Sequence, residues 1–87
     1  MTVLHTIHNS TALSAALDRA GGGVILLLED GVYLALKPLP RGEVLVLRED
    51  MASRGLTEDK LAEGVKAIGM SDFVALAAAH SPIVAWF

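Results

Sequence analysis

Two short apolar runs constrain the fold of this chain more than any other feature of its sequence. Val24–Leu28 and Val44–Leu47 contain no polar residue and no alternation of polar and apolar positions. Continuous runs of this kind are typical of central strands in a parallel sheet, because helices cover both faces of that sheet. Each run is far shorter than the roughly 18 residues that a membrane-spanning helix needs. The runs therefore predict a buried parallel sheet.

Amphipathic stretches and turn residues separate these runs from three further predicted strands. Leu13, Ala16, Leu17 and Ala20 fall on one helical face, and a glycine run follows them. Alternating strands and helices imply right-handed crossovers between parallel strands. We therefore predict one α/β domain over residues 1–87, a small three-layer α/β/α fold with a mainly parallel sheet of about five strands. The other predicted strands are Thr2–Ile7, Val65–Ile68 and Ile83–Trp86. Four further helical segments are predicted: a short helix capped by Asp30 and ending near Leu36, a turn through Arg54 ended by Gly55, a segment capped by Thr57, and a last helix from Phe73 to about His80.

The composition indicates that this domain associates with another protein. The chain has 87 residues, of which 53% are hydrophobic, and a domain of this size buries only about 60–65% of its unfolded surface. Small domains compensate with disulfides, a structural metal or a partner. Disulfides are excluded because the chain has no cysteine. A zinc site is not expected, because His5, His8 and His80 lack the paired spacing of zinc ligands. Association with a partner therefore remains as the means of stabilising this small domain.

The net charge and the distribution of basic residues indicate which partners the chain can bind. The net charge is −3, and the seven Lys and Arg residues are spread thinly along the chain. Proteins that bind nucleic acids need a basic face to displace counterions from phosphates, so we expect no direct nucleic-acid binding. The first residues show neither a basic region nor the apolar block of a signal peptide. We therefore expect a cytoplasmic protein that binds no membrane.

Two acidic pairs follow the predicted central strands. Glu29-Asp30 follows the first apolar run, and Glu49-Asp50 follows the second. This is the edge of an open α/β sheet at which ligands bind. The carboxylates are interpreted first as helix caps, second as charges that face a partner, and last as catalytic or metal-binding groups. Gly21-Gly22-Gly23 precedes a strand instead of following one, so it predicts a helix end and turn instead of a phosphate loop.

Four other residues are candidates for a subunit interface. His5 lies in an apolar strand, which favours a core or interface histidine. Trp86 either packs back onto the domain as part of an edge strand or anchors a subunit contact. Tyr33 on the short helix shares this ambiguity, and Phe73 opens the last helix. The alanine-rich stretch Ala75–Ala79 suits either the core or a close subunit contact. No serine nucleophile motif or catalytic triad is indicated.

Taken in order, these features resemble the TusB/DsrH family within the DsrE/DsrF/DsrH group. The resemblance runs over nearly the whole chain. It rests on Leu4-His5-Thr6, Leu26 to Tyr33, Leu45 to Asp50, Ala52 to Leu56, Asp72-Phe73-Val74, His80 and Trp86.

The resemblance implies a DsrE-like fold and a heterohexamer with two copies each of three related subunits. This chain would be the B (or H) subunit, beside TusC-like and TusD-like (DsrF-like and DsrE-like) partners. It also implies a role in relaying persulfide sulfur toward 2-thiouridine at the tRNA wobble position, with no cofactor. In the Tus system the working cysteine lies on the D subunit, and some DsrH proteins carry their own.

The absence of cysteine places this chain off the covalent path of sulfur. Persulfide relay needs a nucleophilic thiolate, and the thioethers of Met1, Met51 and Met70 cannot form a persulfide. We therefore expect a non-catalytic subunit that builds the complex or shapes a partner's site. The alternatives are a DsrH-like subunit in dissimilatory sulfur oxidation, a homo-oligomer of the isolated chain, or a small ligand-binding or hydrolytic domain that uses Asp30 and Asp50.

Overall fold

Five parallel strands form one sheet in the computed structural model. The structure describes residues 3–9, 23–36, 43–79 and 83–86. The strand order is β4-β3-β2-β1-β5, and every neighbouring pair is parallel. This confirms the predicted α/β class and parallel sheet. The strands are β1 (Leu4–Ile7), β2 (Val24–Leu27), β3 (Val44–Leu47), β4 (Val65–Ile68) and β5 (Ile83–Trp86).

The order in which successive strands are added to the sheet reverses once. From β1 to β4 each strand lies beside the one before it in the chain, whereas β5 crosses back to pair with the other side of β1. In register, Leu4 lies opposite Val24 on β2 and opposite Ile83 on β5. The strand β1 therefore has a neighbour on each side, β2 and β5, and the connection that reverses the order of strand addition leads to β5.

Helical segments cover both faces of the sheet, as the unbroken apolar runs predicted. On one face, Ile7, Ile25 and Val46 form a buried cluster with residues from a 3₁₀ helix (Glu29–Leu36) and from α1 (Arg48–Ser53). The opposite face forms a second buried cluster. That cluster contains Leu4, Val24, Leu26, Leu28, Leu45, Leu47 and Ile68, and Phe73 and Leu76 of α2 (Met70–Ala79) pack against it.

The predicted helix ends are partly confirmed. Gly55 has φ +71°, and it follows α1 with the paired bonds Leu56 N–H to Met51 O (2.9 Å) and Gly55 N–H to Ala52 O (3.1 Å). These bonds form a Schellman motif that ends the helix as predicted. The 3₁₀ helix Glu58–Lys60 follows Thr57, whose hydroxyl bonds the Asp59 carboxylate instead of a backbone amide.

Two helix starts differ from the prediction. The last helix begins at Met70 instead of Phe73, and the Asp72 carboxylate accepts a bond from the Gly69 N–H at 3.3 Å. An acid three residues into a helix that reaches back in this way follows the capping-box pattern. The segment after β2 begins at Glu29, so Asp30 lies inside a 3₁₀ helix and does not cap it.

Several predicted features lie outside the described residues. They are the helix containing Leu13 to Ala20, the glycines Gly21 and Gly22, the segment Lys37 to Gly42, whose two prolines and glycine predict a loop, and His80, near which the last helix was expected to end. Within the described ranges, none of the helices has the length and apolar character needed to cross a membrane. A single domain over residues 1–87 stays a prediction.

Candidate functional site at the carboxyl edge of the sheet

The carboxyl ends of three neighbouring strands bring polar residues together. His8 follows β1, Glu29 follows β2 by two residues, and Asp50 lies in α1 directly after β3. Since β1, β2 and β3 are adjacent and parallel, these residues meet at one edge of the sheet. The order in which strands are added to the sheet reverses beside β1. In open α/β sheets, ligands bind at the carboxyl edge beside such a reversal.

His8 is the centre of a chain of hydrogen bonds. Its Nδ1 bonds Glu29 Oε1, and its Nε2 lies 3.0 Å from Thr6 Oγ1. An ionised carboxylate can only accept, so Nδ1 donates to Glu29, and the Thr6 hydroxyl lies within hydrogen-bond distance of the other ring nitrogen. A hydroxyl bonded to an imidazole, which is in turn bonded to a carboxylate, is the arrangement found in the catalytic triad of hydrolases. Thr6 is only 4% exposed, however, so a substrate cannot reach its hydroxyl.

Glu29 occupies an unusual backbone conformation at this edge. Its φ is +51°, in the left-handed region that residues other than glycine seldom adopt. Its N–H donates to Asp50 Oδ2 at 2.6 Å, and its own carboxylate is bonded to His8. Residues in this region persist where their surroundings hold them there, and such positions cluster at functional sites. The contacts that hold Glu29 come from Asp50 in α1 and from His8, which follows β1.

The two acidic pairs act as caps and ion pairs, but on elements other than those predicted. Glu49 Oε2 accepts the Met70 N–H at 3.1 Å, so it caps α2. Asp30 Oδ1 accepts from Arg54 Nε at 2.9 Å, and this bond raises the pKa of the Arg54 guanidinium above its ordinary value. The prediction that Asp30 caps its own helix is therefore wrong. Within the described part of the chain, no three acidic or histidine side chains are grouped as metal ligands.

His5 and Trp86 form a second polar contact on the sheet face of the first cluster. The indole N–H of Trp86 donates to His5 Nδ1 at 3.1 Å, and His5 is only 4% exposed. Trp86 thus packs back onto the domain, the first of its two predicted alternatives. Among the described residues, His5 Nε2 has no hydrogen-bond partner. A side chain at Gly23 would lie 2.8 Å from the imidazole, so glycine is required beside it.

The remaining candidates lie apart from this edge network. Tyr33 is 46% exposed on the 3₁₀ helix, and Phe73 is half-buried against the second cluster. Sequence reasoning considered His8 only as a zinc ligand and missed its place beside Glu29. A signal was present, because His8 directly follows a predicted strand, as the acidic pairs do. An interface role for these residues stays a prediction.

Comparisons with known proteins identify the family. A model of the family described as DsrH like protein matches residues 7–83. Protein TusB of Escherichia coli O81 (strain ED1a) and that of strain 536 are each 38% identical to this chain over 96 aligned positions, which cover 97% of this chain and 100% of the relative. The solution NMR structure of protein Tm0979 from Thermotoga maritima superposes with a TM-score of 0.72 at 24% identity, over 91% of this chain and 93% of that one, and so shares its fold. The chain belongs to the TusB/DsrH family.

Proposed function

We propose that this chain is a non-catalytic structural subunit of a TusBCD-type sulfur-relay complex, which supports 2-thiouridine formation at the tRNA wobble position. The observation that carries the proposal is full-length similarity to TusB in a chain that has no cysteine. A relay needs a thiolate to accept sulfane sulfur, and this chain has none to offer. Its contribution is therefore a surface that holds partner subunits.

The edge network supports a structural role. Glu29, Glu49 and Asp50 each bond a neighbouring element, and His8 is engaged through both ring nitrogens. Groups bonded in this way are held in place and would have to exchange partners before they could transfer a proton to a substrate. The same bonds make the edge rigid, which suits a surface that must dock in one orientation.

The partners in this proposal are TusC-like and TusD-like subunits in a heterohexamer in the cytoplasm. The net charge of −3 supports contact with proteins and not with tRNA. Exposed Tyr33 is a candidate contact residue, since tyrosines are enriched at the centres of interfaces. No cofactor and no membrane take part.

Co-expression with the two neighbouring DsrE-like subunits tests the assembly. We expect native mass spectrometry to give one complex with two copies of each subunit. A chain that stays free of both partners would contradict the proposal. Deletion of its coding sequence should then lower 2-thiouridine in total tRNA, measured by nucleoside mass spectrometry, and the unaltered chain should restore it.

A DsrH-like role in dissimilatory sulfur oxidation is the second candidate. This candidate rests on the family model, which is described as DsrH like protein, whereas the absence of cysteine favours the Tus-type role. It predicts that the deletion strain keeps normal 2-thiouridine and loses oxidation of stored sulfur. Both readings use the same assembly, so the nucleoside measurement separates them.

A further inference from the structure

Asp30-Gly31, at the start of the 3₁₀ helix, is the single Asp-Gly pair in the sequence. An aspartate before glycine is prone to rearrange, because glycine has no side chain to keep its backbone nitrogen away from the aspartate Cγ. That nitrogen can attack the carboxyl carbon of the preceding residue. The Asp30 side chain is 70% exposed, so water reaches its carboxyl group. The pair therefore combines both reacting groups with access to water.

The reaction that this pair allows is a rearrangement of the main chain. The Gly31 nitrogen forms a bond to Asp30 Cγ, its proton and the carboxyl hydroxyl leave as water, and a five-membered succinimide ring remains. Water then adds to one of the two ring carbonyls. Opening at the backbone carbonyl of Asp30 breaks the original peptide bond and leaves isoaspartate, in which the main chain runs through the side chain. Nothing is oxidised or reduced, and the water lost in the first step is regained in the second.

Two contacts restrain the reacting groups in the folded chain. The Gly31 N–H donates to Leu28 O at 3.0 Å, which holds its proton. The Asp30 carboxylate accepts from Arg54 Nε at 2.9 Å, and an ionised carboxylate is a poor electrophile. Arg54 is itself fixed, because its Nη1 donates to Asp50 O at 3.3 Å. The reaction therefore proceeds from molecules in which the two restraining contacts have opened.

We infer that Asp30 is a site of isoaspartate formation and that its ion pair with Arg54 controls the rate. Each reacting group is restrained by a single bond. The bond from Gly31 to Leu28 spans three residues, and such 3₁₀ bonds have poorer geometry than those of an α-helix. Arg54 is therefore the restraint that a substitution can remove without altering the reacting pair.

The position of Gly31 determines what the modification does to the fold. Isoaspartate adds one main-chain atom directly before Gly31, whose backbone lies against the carbonyl group of Ile7. The modified chain therefore loses the close packing of the 3₁₀ helix on β1, and its urea midpoint should fall. The inference does not depend on the sulfur-relay proposal, since it concerns chemistry within one chain.

Incubation of the full chain at neutral pH and physiological temperature tests this site. Peptide mapping with electron-transfer fragmentation distinguishes isoaspartate from aspartate at each position. We expect isoaspartate to accumulate at Asp30, while the aspartates that precede other residues stay unmodified as internal controls. Arg54→Gln should raise the rate about two- to fivefold, the effect of losing one exposed ion pair. Arg48→Gln is the matched control, because it removes the ion pair with Glu58 from the same helix and leaves Asp30 bonded to Arg54.

Two further variants separate the chemistry from a loss of fold. Asp30→Glu keeps the carboxylate but would need a six-membered ring, so position 30 should stay unmodified. Arg54→Lys keeps the cation without the Nε donor, so its rate should lie between those of Arg54→Gln and the unaltered chain. Circular dichroism checks that each variant is folded, and Arg54→Lys carries the comparison if Arg54→Gln is not. Equal rates in the folded Arg54 variants and the unaltered chain overturn the inference. So does a folded chain that forms no isoaspartate at Asp30 while the urea-unfolded chain forms it.

Discussion

Replacing Gly31 with alanine should strongly destabilise the fold. The new Cβ would lie 3.0 Å from the carbonyl carbon of Ile7 and nearer still to the Ile7 oxygen, a backbone group of the interior strand β1. That oxygen accepts the Leu28 N–H at 3.1 Å, so the strand cannot move without straining this bond. Overpacking costs about 1–3 kcal/mol, and loss of a hydrogen bond adds about 1 kcal/mol. We expect a loss of about 2–4 kcal/mol and a fall in Tm of about 10–30 °C.

Urea denaturation followed by fluorescence measures this loss directly, because Trp86 is the single tryptophan of the chain. Gly69→Ala is the matched control. Apart from atoms of its chain neighbours, the nearest atom to its Cβ would be Arg48 Nη1 at 3.6 Å, so its stability should stay within about 0.5 kcal/mol of the unaltered chain. Equal urea midpoints for Gly31→Ala and Gly69→Ala would refute the close approach of the 3₁₀ helix to β1.

Three further changes test other contacts. Met51→Ala should cost about 2–5 kcal/mol in urea denaturation, because Met51 is 1% exposed in the first cluster and its removal leaves a cavity. Trp86→Phe should cost about 1–3 kcal/mol, measured by urea denaturation followed by circular dichroism, because it removes the indole N–H that donates to the buried His5 Nδ1. A loss no smaller in the presence of His5→Phe would show that this hydrogen bond is unimportant. The hydrogen bond from the Thr57 hydroxyl lowers the pKa of Asp59. The stabilisation from this bond is therefore present above the unfolded pKa of Asp59 and is lost as the pH falls through its folded pKa. An NMR titration should find a higher Asp59 pKa in Thr57→Val, and an unchanged pKa would show that the hydrogen bond is absent.

The parts of the fold that were predictable depend on local chemistry. The strands Val44–Leu47 and Val65–Ile68 have the bounds that their apolar patterns indicated, and the glycine at position 55 ends its helix as expected. Strand order was not predictable, because the sequence does not reveal on which side of the sheet each crossover returns. The return of β5 to β1 decides which residues meet at the carboxyl edge.

The contacts made by Glu29, Glu49 and Asp50 were the least predictable, because each joins residues 21 positions apart. Asp50 was expected to cap its own helix, yet it bonds the amide of Glu29 on the neighbouring segment. Glu49 likewise caps α2 instead of its own helix. The residue type therefore indicated the chemistry, a carboxylate that accepts from a backbone amide. Only the order of the strands determined which amide is within reach.

These contacts together tie the carboxyl edge of the sheet into one unit. His8 joins β1 to β5 through its N–H and the Trp86 carbonyl (3.0 Å), and it joins β1 to the segment after β2 through Glu29. Glu29 continues to Asp50 after β3, and Glu49 beside it continues to α2. These groups hold neighbouring elements of the fold together. In the structural role proposed above, such an edge would orient a neighbouring subunit.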